Sequence, residues 1–199
     1  MLVAPLIKTS GDLVAQYTKN EKTQVLVQDA ERALELIGRS IRMAGYQNGQ
    51  SMNLVRKPTE PWLLLKKGDG FQGSDSLFIR HQLSSGIDFD CIGNVMNTDR
   101  TKQQLAQHGY VLERMASSPK FARIDEGSLV CQSLDRQGRL QKTTLMSGVR
   151  QLRIEEVGNQ ATATRLGSPA RLFTVRLTMG DGHAIERHVE RTFATRNLL

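Results

Sequence analysis

Residues 25–45 read VLVQDAERALELIGRSIRMAG, and the reading of this stretch decides the fold. Val27, Ala30, Leu34, Ile37, Ile41 and Ala44 recur every third or fourth residue, which places them on one face of an α-helix. Leu26, Ala33 and Leu36 widen that stripe. Arg32, Glu35, Arg39 and Arg42 fall on the other side, with Glu35 one turn from Arg39. Gly45 follows the last periodic residue, where a left-handed C-terminal cap belongs. The face is therefore expected to pack on the rest of the chain.

The helix is expected to begin further upstream. Leu13, Val14 and Tyr17 carry helical spacing, and between Asp12 and Arg42 only Gly38 opposes a helix. Asn20, Glu21 and Gln24 interrupt the apolar face, so the upstream half packs less. Pro5 and the Ser10-Gly11 pair predict a weak point or kink near its start. A helix of about 30 residues is ~45 Å long, more than one domain of this size covers. Leu6, Leu13, Val14 and Tyr17 are thus candidates for an assembly interface.

Beyond Gly45 the pattern changes. Residues 46–61 are polar and hold two prolines, a loop. Short runs separated by turn residues follow at 62–66, 76–81, 109–115, 120–124, 127–134, 149–157, 172–179 and 183–194. Phe173, Val175, Leu177 and Met179 alternate with Thr174, Arg176 and Thr178, a half-buried strand. Gly180-Asp181-Gly182 reads as a hairpin turn, and the return strand places Ile185, Val189 and Phe193 on one face with Arg187 and Arg191. Residues 99–108 have helical composition. Strands joined by short turns pair antiparallel. The expected class is α+β: a helix in residues 1–46 packed on antiparallel sheet from residues 47–199, together one domain.

The 199 residues hold 39% hydrophobic and 5% aromatic side chains, so the core is mostly aliphatic. The net charge is +7, but no basic run reaches five residues and aromatics do not alternate with basic residues as base stacking requires. Nucleic acid is a weakly supported partner. Two cysteines, Cys91 and Cys131, exclude an all-cysteine zinc site within one chain and leave two readings, buried thiols or one disulfide. No stretch reaches the ~20 apolar residues that span a bilayer.

Chemistry-bearing motifs are absent from the sequence. Gly68-Asp69-Gly70-Phe71-Gln72-Gly73 matches a dinucleotide-binding string, but the strand-like residues after it point to a hairpin loop. His81, His108, His183 and His188 lack the spacing of a helical metal pair. Asp88 and Asp90 share a strand face without a third ligand nearby, as exposed strand-end acids do. There is no nucleophile elbow and no phosphate-binding loop. The expectation is a non-enzymatic chain with no cofactor, no metal and no small-molecule substrate.

Residues 32–46, ending Ile41-Arg42-Met43-Ala44-Gly45-Tyr46, resemble the helix end of PilW-type minor pilins of type IV pili. Asp90-Cys91-Ile92-Gly93 is similar to that family's D-C-x-G segment, and Leu129-Val130-Cys131 to its later cysteine-bearing strand. Gly148-Val149 with Leu152 matches a G-V-x-x-L strand, and the segment from Phe193 to Asn197 is similar to its last strand. The resemblance implies a pilin-like α+β fold and a Cys91–Cys131 disulfide, closing a loop of about 40 residues worth ~4 kcal/mol. It implies export, residence at the inner membrane and periplasm, then the extracellular pilus. Other minor pilins and the major pilin are the partners, in a tip or priming complex. A J-type pseudopilin of type II secretion, or a DNA-binding or adhesive pilus module, is the alternative. The family's leader and apolar membrane anchor have no counterpart here except Leu2 to Ile7, so the chain reads as a soluble portion cut from its anchor.

Overall fold

The computed structural model describes residues 3–49, 61–102, 104–115, 125–157, 170–182 and 184–197. Helix α1 spans Val3–Met43. Its 41 residues make it about 60 Å long, and it runs through Ser10 and Gly11 without the kink expected there. Pro5 sits in the first turn, where its missing N–H has no intrahelical partner to lose. Among the described residues no helix is long and apolar enough to cross a membrane.

Among the described residues nine strands follow: β1 (Leu63–Lys66), β2 (Ser76–His81), β3 (Asp88–Phe89), β4 (Val95–Met96), β5 (Ala106–Arg114), β6 (Gly127–Leu134), β7 (Leu140–Val157), β8 (Leu172–Gly180) and β9 (Glu186–Ala194). Seven form one antiparallel sheet in the order β1-β2-β5-β6-β7-β8-β9, and β3 pairs with β4 apart from it. The expected 120–124 run lies outside the described residues. The expected helix at 99–108 is replaced by a 3₁₀ turn at Thr98–Arg100, capped by the Asn97 side chain, and by the start of β5.

The pilin-like α+β class is corrected by this architecture. The described residues are predominantly β: one large curled sheet resembling half a barrel, with one N-terminal α-helix. The difference comes chiefly from β7. Its last nine residues were expected as a strand; its first half, Leu140-Gln141-Lys142-Thr143-Thr144, lacks alternation and was not. Over 18 residues β7 changes partner. Residues 140–149 pair with β6, and residues 149–157 pair with β8, with register shifts around the exchange. One strand thus joins two sets of strands into a single curl.

The curl closes through the β1–β2 connection. Among the described residues β7 has no ladder neighbour along 151–157 on the side away from β8, and Ser74 and Asp75 supply bonds there. Ser74 Oγ accepts the Leu152 N–H at 3.2 Å, and the Asp75 N–H donates to the Leu152 carbonyl at 2.8 Å. The Asp75 carboxylate accepts the Ile154 N–H at 2.8 Å and the Gly68 N–H at 3.1 Å. The G-x-G-x-x-G string is therefore a hairpin loop, as expected, and its end seals a strand edge.

The C-terminal half of α1 supplies the core face. Ala30, Ala33, Leu34, Ile37, Ile41 and Ala44 are fully buried against Leu77, Leu152, Phe173, Val175, Leu177 and Phe193; Val27, the outermost of the expected set, is only half-buried. Gly45 adopts φ 73° as anticipated, and its N–H donates to the Arg80 carbonyl of β2 at 3.0 Å. Glu35 does not pair with Arg39. It meets Arg42 at 2.9 Å and Arg191 of β9 at 3.7 Å, so the arginine on the apolar face of β9 is neutralised by the helix.

Gly38 lies where the Phe193 ring crosses α1; a Cβ there would overlap three ring carbons. In a free helix, Gly→Ala gains about 1 kcal/mol. Here the sign should invert. Gly38→Ala is expected to destabilise by about 1–3 kcal/mol because the ring must be displaced, and Phe193→Leu in the same chain should recover part of that loss. A urea titration of both variants reads this; a more stable G38A protein would contradict the packing.

Candidate functional site

The helix leaves its own domain. Residues 10–22 of α1 are all exposed, including Leu13 at 66%, Val14 at 65% and Tyr17 at 72%. At 100° per residue these three point roughly 160° around the helix from the mean direction of the buried face. The upstream stripe is thus no continuation of the sheet-packing stripe: it faces the opposite way, where its own domain cannot cover it. The Leu6 side chain lies outside the described residues.

A second feature is fixed by the cysteines. Cys91, between β3 and β4, is disulfide-bonded to Cys131 of β6, with Cα atoms 6.2 Å apart. This ties the β3–β4 hairpin to the sheet. Asp90 organises the turn by accepting the N–H groups of Ile92 and Asn94 and the Asn94 side-chain amide. Burial pushes its carboxyl up, but these bonds outweigh that and hold it below the ordinary carboxylate value. Asp88 likewise accepts the Ser84 N–H and hydroxyl. Both acids are buried caps rather than the exposed acids expected. The hairpin displays Ile87, Phe89 and Val95, and the Arg39 guanidinium of α1 lies 6.0 Å from the Phe89 ring centre.

Behind the hairpin sits a polar cluster that sequence reading missed. β2 and β5 place His81 and His108 on one sheet face with rings edge-on, 5.2 Å apart. Tyr110 donates to the Leu36 carbonyl at 3.0 Å, and its oxygen meets Ser40 Oγ at 2.9 Å. Ser40 lies 3.5 Å from His108 Nδ1. His81 Nδ1 faces the Gln82 carbonyl at 2.8 Å and so carries the proton. The cluster lines a cavity of ≈ 50 Å³, room for waters and far below a ligand pocket. The alternation of His108 with Tyr110 and the lone Ser40 in an apolar helix face were the available signals; their meeting required the strand order.

Ser40 is engaged by Tyr110, and among the described residues no carboxylate hydrogen-bonds His108. Among the described residues no group of three or more His, Cys, Asp or Glu side chains is placed to hold a metal. His183 lies outside them, and His188 is exposed on β9 beside Thr178.

Burial lowers the His108 imidazole to about 3, with His81 adding repulsion; burial also lowers His81, partly opposed by the Gln82 carbonyl and Asp88. The folded-state value lies under the unfolded one of about 6.5, so the unfolded chain binds protons first. This stability is complete above pH ~6.5 and is lost as pH falls toward 3. His108 alone should remove about 2 kcal/mol between pH 7.5 and pH 5, before depressed carboxylates such as Asp90 begin to titrate. Urea melts at the two pH values should show the loss, and His108→Leu should flatten it; equal stability at both would refute it.

Comparison of the chain with protein-family models, with curated proteins and with solved structures finds no match.

Proposed function

We infer that the chain is a non-enzymatic assembly subunit, a minor pilin of the PilW type that acts in type IV pilus assembly within a tip or priming complex. The observation that carries this reading is the exposed stripe of Leu13, Val14 and Tyr17 on a helix that projects beyond its domain and turns the stripe away from it. Large apolar side chains in such a position suit packing against the helices of neighbouring subunits, other minor pilins and the major pilin. The reading draws on α1 and on the cysteine-bearing segments, which also fit an exported, oxidising environment; the sheet architecture does not enter it. Export through the inner membrane to the pilus belongs to the same proposal.

Assembly and folding are separable at this stripe. Exchange of Leu13, Val14 and Tyr17 for serine should leave the melting temperature within about 1 °C, because the side chains are already in water. In producing cells the same variant should lose surface pili, and a cysteine at position 17 should cross-link to a second subunit. Normal piliation with the triple variant would sink the proposal. Intact pili with failed protein secretion would favour the type II pseudopilin reading instead.

A further inference from the structure

The two buried imidazoles behind the β3–β4 hairpin are each held on one side only. His81 Nδ1–H donates to the Gln82 carbonyl at 2.8 Å, which leaves its Nε2 a bare lone pair. For His108 the same deduction runs through three groups. Tyr110 gives its one proton to the Leu36 carbonyl, so the Ser40 hydroxyl donates to the Tyr110 oxygen. The Ser40 oxygen then faces His108 Nδ1 as an acceptor at 3.5 Å. His108 Nδ1 therefore carries the proton, and its Nε2 is a second bare lone pair. Neither Nε2 atom has a hydrogen-bond partner among the described residues. His81 is 1% exposed and His108 5%, and both line one cavity. Two acceptors cannot satisfy each other, so each needs a proton donor or a Lewis acid.

The spacing of the rings selects the Lewis acid. Two imidazoles bound at about 2.1 Å to one tetrahedral ion hold their ring centres about 5 Å apart. These ring centres are 5.2 Å apart. An Nδ1–H held by a backbone carbonyl, with Nε2 left bare, is also how a protein orients a metal-ligating histidine. The cavity of ≈ 50 Å³ has room for one ion and bound water. Asp88 and Asp90 line it with negative charge, against one positive charge from Arg39. Both carboxylates are engaged by the hairpin's own N–H, hydroxyl and amide groups. They offset the charge of an ion without ligating it.

We propose that His81 Nε2 and His108 Nε2 together bind a divalent zinc ion, with water in its remaining positions. Imidazole nitrogen selects zinc or cobalt over calcium and magnesium, which take oxygen ligands. Two protein ligands are fewer than the three or four of dedicated zinc sites, so binding is micromolar and reversible. The ion ties β2 to β5 beneath the hairpin that the disulfide fastens to the sheet, and so stabilises the domain. The site shares no residue with the exposed stripe of α1 and does not depend on the pilus reading.

Zinc chloride titrated into EDTA-treated and dialysed protein, its disulfide intact, should bind one ion per chain. At saturation it should raise the melting temperature by about 5 °C. Cobalt in its place should give the intense visible bands of a tetrahedral ion. The imidazole nitrogen resonances of His81 and His108 should shift on adding zinc while those of exposed His188 stay. His108→Leu and His81→Gln should each weaken binding tenfold or more and abolish the thermal shift. His188→Ala removes the exposed imidazole that meets Glu186 at 3.2 Å, and should change neither. No binding at micromolar zinc would overturn the proposal. So would His81 and His108 resonances that ignore zinc, a readout that needs no variant to fold. Binding lost with His188→Ala but kept in His108→Leu would mean an adventitious surface ion only, and would overturn it as well.

Discussion

Replacing Asp75 by alanine is expected to cost about 3–5 kcal/mol, a large share of the stability of a domain this size. The side chain has no solvent exposure. It accepts from two backbone donors on separate elements, Gly68 and Ile154, and from Lys67 Nζ at 3.1 Å, with Arg153 at 3.7 Å. Alanine would leave the buried Ile154 N–H without an acceptor, at about 1–3 kcal/mol, would free the Gly68 N–H, and would leave Lys67 and Arg153 without their counter-charge. Lys67 also donates to the Ile154 carbonyl, so the same change loosens a second tie across the closure. Asp75→Asn should lose less, since one oxygen still accepts. Urea denaturation of both variants measures the ordering. A loss below 1 kcal/mol for D75A would mean that the curl does not depend on this carboxylate.

Reduction of the Cys91–Cys131 bond is the second large expected effect. The bond closes a 40-residue separation, and on the chain-entropy account releasing it costs about 4 kcal/mol through the unfolded state. Both sulfurs are buried, so dithiothreitol should act slowly on the folded protein and quickly once urea opens it. The Cys91→Ser, Cys131→Ser double variant should match the reduced protein in stability. Two titratable thiols in protein made under oxidising conditions would remove the premise.

The helix and most strands were legible because their signals are local. The stripe from Ala30 to Ala44 is a helical repeat with no competitor, and Gly45 marks its end. β2 and β6 were read to the residue because turn residues flank each run. What escaped was set by distant partners. Residues 140–148 are a strand because β6 lies beside them, not because their sequence alternates. Asp88 and Asp90 are buried because the disulfide draws their hairpin onto the sheet. Ser40, His81, His108 and Tyr110 come from three elements, and no spacing in one of them announces the others. The fold class was misjudged for the same reason: short runs suggest a modest sheet beside a dominant helix, whereas one long shared strand builds a half-barrel. The apolar set at Leu13, Val14 and Tyr17 was legible as residues, but its direction became meaningful only once the buried face of α1 was known.

The last turn of α1 is anchored twice. Gly45 donates to Arg80 of β2, and the Arg42 carbonyl accepts from the Asn197 side chain just past β9 at 3.0 Å. In strand order β2 and β9 lie near opposite ends of the sheet. A pull along the helix axis is therefore shared between two remote strands, in addition to the apolar face that α1 packs on the sheet. The helix acts as a tether whose tension is shared across the domain, and rupture under force should unfold the sheet as a whole rather than strip α1 from it.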